Sequence, residues 1–149
     1  MGTRFDCYIG RGATAEWIGS GNFDGDPAGT PRDYGFEKAT TEADFRKAVE
    51  RFLATEEWAT RPEQGWPWSW KDSGMTDYAY MWDGEQVLVS SFGHLAIPLA
   101  THSPDAEEAT EEGGEVEVFP DMTDKKNVTL GRRSGLIVIV LSVPRTSDE

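Results

Sequence analysis

A single cysteine, Cys7, excludes an intrachain disulfide. Histidine is equally scarce, with only His94 and His102. Neither has metal-ligand spacing with a cysteine, and Cys7 lies within a strand-like run, "RFDCYIG". It reads as a buried, inert thiol. Long apolar runs are missing too. The longest, "LIVIVLSV" at 136–143, is far too short to cross a bilayer. The opening "MGTRFDCYIG" has no apolar segment of the kind a secretory leader needs. A soluble, cytoplasmic protein is the expectation, within a host cell if the chain is viral.

Positive charge is in short supply. There are 14 basic residues (5 Lys and 9 Arg) against 27 acidic ones, a formal net charge of −13. Phosphate backbones need Lys and Arg, so direct nucleic-acid binding is not expected. Anionic membrane surfaces are disfavoured for the same reason. A basic protein surface is the natural complement, and a salt-rich, halophilic host would produce the same composition.

Recognisable catalytic patterns are also absent. "GRGATAEWIG" lacks the Lys-Ser/Thr ending of a phosphate-binding loop. Ser91 and His94 in "SFGH" have no acid placed to orient the imidazole. "NFDGDP" sets Asn22, Asp24 and Asp26 at alternate positions, as in a calcium loop. Pro27 stands where the sharp turn needs glycine, and a terminal bidentate Glu is missing. No catalytic residue, metal or cofactor is expected.

What is present suits one domain over residues 1–149. Residues 3–9 read as a strand with Phe5, Cys7 and Ile9 on one face, and 15–20 as a second short strand. Gly, Pro and Asp crowd 19–35, an irregular loop. The clearest helix spans about 41–54. Its residues Phe45, Ala48, Val49, Phe52 and Leu53 form one apolar stripe, and Thr41 with Asp44 resembles a capping box. Tyr78, Tyr80 and Trp82 alternate with Ala79 and Met81, and Asp83-Gly84 signals a hairpin to "EQVLVSSF". "GHLAIPLA" at 93–100 is apolar. A polar, acidic loop follows at 101–114. "EVEVF" at 115–119 reads as a half-exposed strand, and "NVTL", "GRRSG" and "LIVIVLSV" as a closing hairpin with a central last strand. The expected class is α+β: an antiparallel sheet of about six or seven strands with one main helix packed on a face, or a barrel-like closure of that sheet.

Two features stand out as candidate sites. "GWPWSW" would, if extended, point Trp66, Trp68 and Trp70 the same way, about 7 Å apart. Such a ladder suits stacking on a ring ligand. Burial as a roof over a small sheet suits it better, with Trp66 left at the rim for a partner. The second is the window from Leu95 to Asp124, which has no Lys or Arg. It holds Asp105, Glu107, Glu108, Glu111, Glu112, Glu115, Glu117, Asp121 and Asp124. Such a run is commonly a solvated loop, and it can also compete for a basic groove as a nucleic-acid mimic does. Lys125, Lys126, Arg132 and Arg133 follow directly and balance that face.

In size and charge the chain resembles phage- or plasmid-borne inhibitors of nucleic-acid machinery, including anti-CRISPR and anti-restriction proteins. The resemblance implies a non-catalytic accessory protein that occupies a basic surface of a larger assembly. A virion or assembly component is the alternative, and a small enzyme the third reading.

Overall fold

The computed structural model describes residues 2–101 and 116–123. Six strands form one sheet: β1 (Phe5–Ile9), β2 (Glu16–Gly21), β3 (Ala59–Thr60), β4 (Tyr78–Trp82), β5 (Val87–Ser91) and β6 (Ile97–Pro98). Their order is β3-β2-β1-β4-β5-β6. Neighbours run antiparallel except β1 and β4, which pair in parallel from Phe5↔Tyr78 to Ile9↔Trp82. The fold is α+β, with one main helix, α2 (Glu42–Thr55), after a single helical turn, α1 (Thr30–Asp33). The sheet is mostly antiparallel, as expected, with one parallel pair at its centre. Residues 10–77 form β2, α2 and β3 before the chain returns, so β4 reaches β1 by a crossover and not by a hairpin.

α2 forms as its sequence dictates. The Thr41 hydroxyl accepts the Asp44 amide at 3.0 Å, closing the first turn. The Asp44 carboxylate reaches one residue further back than a capping box does, to the Thr40 amide at 3.3 Å and the Thr40 hydroxyl at 3.1 Å. Those bonds hold its pKa below the usual carboxylate range. The stripe Phe45, Ala48, Val49, Phe52 and Leu53 is buried throughout, against Phe5, Cys7, Ile18, Tyr80 and Trp82. Gly21 permits this closeness. A Cβ there would lie 2.4 Å from the Phe5 ring and 2.7 Å from the Phe52 ring. Trp82 pairs with Val87 across the Asp83–Gly84 turn, where the Asp83 carboxylate accepts the Glu85 and Gln86 amides.

The central strands alternate as expected but are covered on both faces. Tyr8, Trp17, Ala79, Met81 and Leu88 form a second core on the side away from α2. No helix closes it. Two stretches outside the strands do, around Trp66 and at 116–123. The Trp66 ring meets Trp17 edge-on at 5.2 Å, and the Phe119 ring stacks on Tyr8 at 5.4 Å.

The acidic loop beyond Thr101, half of the 95–124 window, the basic cluster and the closing hairpin with "LIVIVLSV" lie outside the described residues. So does His102. Among the described residues, no helix is long and apolar enough to cross a membrane.

Candidate functional site

Asp6 is the second residue of β1 and has no exposure to solvent. Its Oδ1 accepts the Ser20 hydroxyl at 2.5 Å and the Trp68 indole N–H at 2.6 Å. Its Oδ2 accepts the Ser73 hydroxyl at 2.5 Å, and Ser73 is bonded to the Tyr8 hydroxyl at 2.7 Å. Trp17 donates to Ser20 at 3.0 Å. Removal from water raises the Asp6 pKa, and the bonds from Ser20, Ser73, Trp68 and Thr76 pull it partly back. The network reaches from β1 to β2 and to the tryptophan stretch. It anchors that stretch on the second face of the sheet. Sequence reasoning missed Asp6, because a carboxylate opposite Phe5 and Cys7 reads as the solvent side of a strand. The overlooked signal was the company it keeps: Ser20, Ser73 and Thr76 lie beside sequences otherwise rich in aromatics.

The three tryptophans do not form a ladder. Trp66 turns into the second core and donates its N–H to the Trp70 carbonyl at 2.6 Å. Trp68 and Trp70 stack on each other, 5.5 Å apart and 14° from parallel, and Trp70 donates to Thr76 at 2.7 Å. All three are half-buried, where a mostly buried roof with Trp66 at its rim was expected. The reason is local. Their N–H groups turn inward to fixed acceptors, which leaves ring edges at the surface. The Arg4 guanidinium lies over both stacked rings, 5.9 Å from Trp68 and 5.8 Å from Trp70. A groove of about 430 Å³ opens here, lined by Arg4, Asn22, Phe23, Thr60, Trp68 and Trp70 among others. Rings stacked on each other and roofed by a cation offer poor faces to a flat ligand.

Arg4→Ala should therefore raise acrylamide quenching of tryptophan emission. It should move the melting temperature by less than about 4 °C, since such a contact contributes about 0.5–1 kcal/mol. Quenching equal to that of the wild type would mean that Arg4 shields neither ring.

Of the predicted acidic partner-binding residues, the structure describes two. Asp121 is exposed and accepts the Thr123 amide at 3.0 Å and hydroxyl at 2.5 Å, which lowers its pKa. Glu117 is not a surface acid. Its side chain is 5% exposed and makes a two-pronged bond to Arg11, at 2.8 and 2.9 Å. Its Oε1 also accepts the Ala96 amide at 3.3 Å. The alternation expected of "EVEVF" is thus inverted: Glu117 and Phe119 face inward, while Val116 and Val118 are 68% and 57% exposed. Phe119 decides the register, because its large ring fills the space over Tyr8 and carries Glu117 inward to Arg11. Trp66, the other predicted contact, is held by Trp17 and the Trp70 carbonyl as described above. Asp105, Glu107, Glu108, Glu111, Glu112 and Glu115 lie outside the described residues.

Cys7 is fully buried, and burial pushes its thiol well above the ordinary value. In "NFDGDP" the Asp24 and Asp26 carbonyls accept the Thr30 and Gly29 amides, so that stretch shapes a turn. Among the described residues, no three His, Cys, Asp or Glu side chains gather as metal ligands. Comparison of the chain with protein-family models, with curated proteins and with solved structures finds no match.

Proposed function

We propose that the protein is a non-catalytic binding module, a small acidic accessory protein that occupies a basic surface of a larger, nucleic-acid-handling assembly. The observation that carries this reading is the charge: −13 over the chain, with no Lys or Arg from Leu95 to Asp124. The surface chemistry supports it. Among the described residues the ion pairs use two cations only, Arg11 with Glu117, and Arg46 with Glu16 and Glu42. The exposed Asp24, Asp33, Glu50, Glu57, Glu63 and Glu85 make no ion pair among the described residues. A negative field of this kind speeds encounter with a basic groove and discriminates against wrong partners.

The test replaces Glu111, Glu112 and Glu115 by Gln and leaves Glu117 in place, because Glu117 is occupied by Arg11. Thermal stability should stay level or rise as repulsion is relieved. Capture of a basic, nucleic-acid-handling complex from host lysate should fall about tenfold at low salt. Wild-type capture should weaken steeply between 0.05 and 0.5 M salt, chosen because the screening length drops from above about 10 Å to a few Å over that range. Full capture by the triple variant would overturn the reading. Folding that requires molar salt, with no basic partner, would make the acidity an adaptation to a salt-rich host. Co-purification with virion proteins would move an assembly role ahead.

A further inference from the structure

Large apolar side chains are exposed at six described positions, and five of them surround one backbone junction: Met75, Phe92, Leu95, Val116 and Val118. At that junction Gly93 packs on Gly74, so closely that a Cβ on Gly93 would lie 3.1 Å from the Gly74 Cα. The Gly93 carbonyl accepts the Glu117 amide at 2.7 Å, and His94 bridges to Val116. Each of the five side chains is within two residues of Gly74, Gly93 or Glu117. Scattered exposed apolar residues need no explanation, but a gathered set does.

Two local features hold these side chains outward against their own preference. Phe92 has φ of 51°, a left-handed conformation that disfavours a bulky residue, and the residue is 53% exposed. Strain that presents an aromatic ring to water does nothing for the core, and such outliers gather at functional surfaces. The second is the Arg11–Glu117 clamp, which seats a carboxylate inside and leaves the two valines outside. The surroundings are acidic. Asp72 and Asp77 flank Met75 in the chain, Glu115 precedes Val116, and Asp121 follows Phe119. Of the nearby cations, Arg11 is engaged by Glu117, and Lys71 lies by Asp121.

We propose that this patch docks the apolar face of a basic amphipathic segment of a partner protein, with Phe92, Val116 and Val118 as its anchors and the acids around it reading the partner's Lys and Arg. The inference rests on the acidic-module reading and names the partner's chemistry. Apolar anchors supply the affinity, and the surrounding charge supplies steering and choice of sign.

The experiment uses the full chain and two synthetic probes: a 14-residue helical peptide of leucine and lysine with one apolar face, and an oligolysine of equal charge. The leucine–lysine peptide should bind in a salt-sensitive manner, and the Phe92→Ser/Val118→Ser double variant should lower its affinity at least tenfold. Oligolysine should bind more weakly and equally to both proteins. The double variant should melt within a few degrees of the wild type, as its side chains are exposed. Equal peptide binding by wild type and variant overturns the patch but leaves the acidic reading standing. Failure of both probes to bind overturns both. A large fall in melting temperature in the double variant, with no peptide binding to the wild type, overturns the proposal in favour of an intramolecular cover by residues 136–143.

Discussion

Asp6→Ala is expected to destabilise the protein by about 3–5 kcal/mol, because it strips a common acceptor from several buried donors. Ser20, Ser73 and Trp68 all donate to this carboxylate, and the two serines are buried away from solvent. Each unsatisfied donor costs about 1–3 kcal/mol, and relief of the buried carboxylate's own desolvation returns part of the sum. For a chain of this size the melting temperature should fall by roughly 6–20 °C. Trp68 emission should shift red as the tryptophan stretch loosens from the sheet. Asp6→Asn separates hydrogen bonding from charge, since its carbonyl can still accept from Ser20 and Trp68. The folded protein raises the Asp6 pKa above the ordinary carboxylate value of 3.8, chiefly by desolvation. The proton is therefore held more tightly in the folded state. Its stabilising contribution is complete below the unfolded pKa and is lost as pH rises through the folded one. Wild-type stability should accordingly decline relative to Asp6→Asn as pH is raised from 3.8 through the folded value. Parallel stability–pH curves for the two proteins would show that Asp6 titrates normally. An Asp6→Ala loss below about 1 kcal/mol would show that its partners re-pair at little cost.

Phe52→Ala is expected to cost about 3–5 kcal/mol, as large-to-small changes in packed cores do. The ring is fully buried, and it lies 5.1 Å from the Phe5 ring, 5.7 Å from Tyr34 and 5.3 Å from Trp58. Phe52 thus joins α2 to β1 and to the turn that leads into β3. Its removal leaves a void that Gly21 opposite has no side chain to fill. The check is a chemical denaturation series, with a lower midpoint at unchanged slope. A midpoint within error of wild type would mean that the neighbouring rings collapse into the space.

Periodicity made one face of this protein legible. The helix stripe, the inward set Phe5–Cys7–Ile9 and the split of Tyr78, Tyr80 and Trp82 from Ala79 and Met81 all follow from repeats of 3.6 and 2, and all hold. The other face was not legible, because its cover has no period. Trp66 and Phe119 close the second core from outside the strands, and only tertiary contact assigns them there. The parallel pairing of β1 with β4 was hidden for a related reason. Strand direction depends on the crossover, and nothing within either strand records it. Glu117 misled in the opposite sense. In an acid-rich window a glutamate reads as one more solvated charge, and Arg11, which claims it, stands 106 positions away. Asp6 is the same case within a strand, where a carboxylate is normally a mark of the wet side.

The parallel pair at the centre of the sheet also sets the order in which the chain can be finished as it is made. β1 emerges first and can close on β2 within a few residues. Its other edge waits for β4, since the Arg4 amide meets Asp77 73 positions later. At about 5–20 residues per second of synthesis, that edge stays unpaired for roughly 4–15 s on the ribosome. Until β4 arrives, the early hairpin presents a bare row of amides and carbonyls to any strand that passes, its own or a neighbouring copy's.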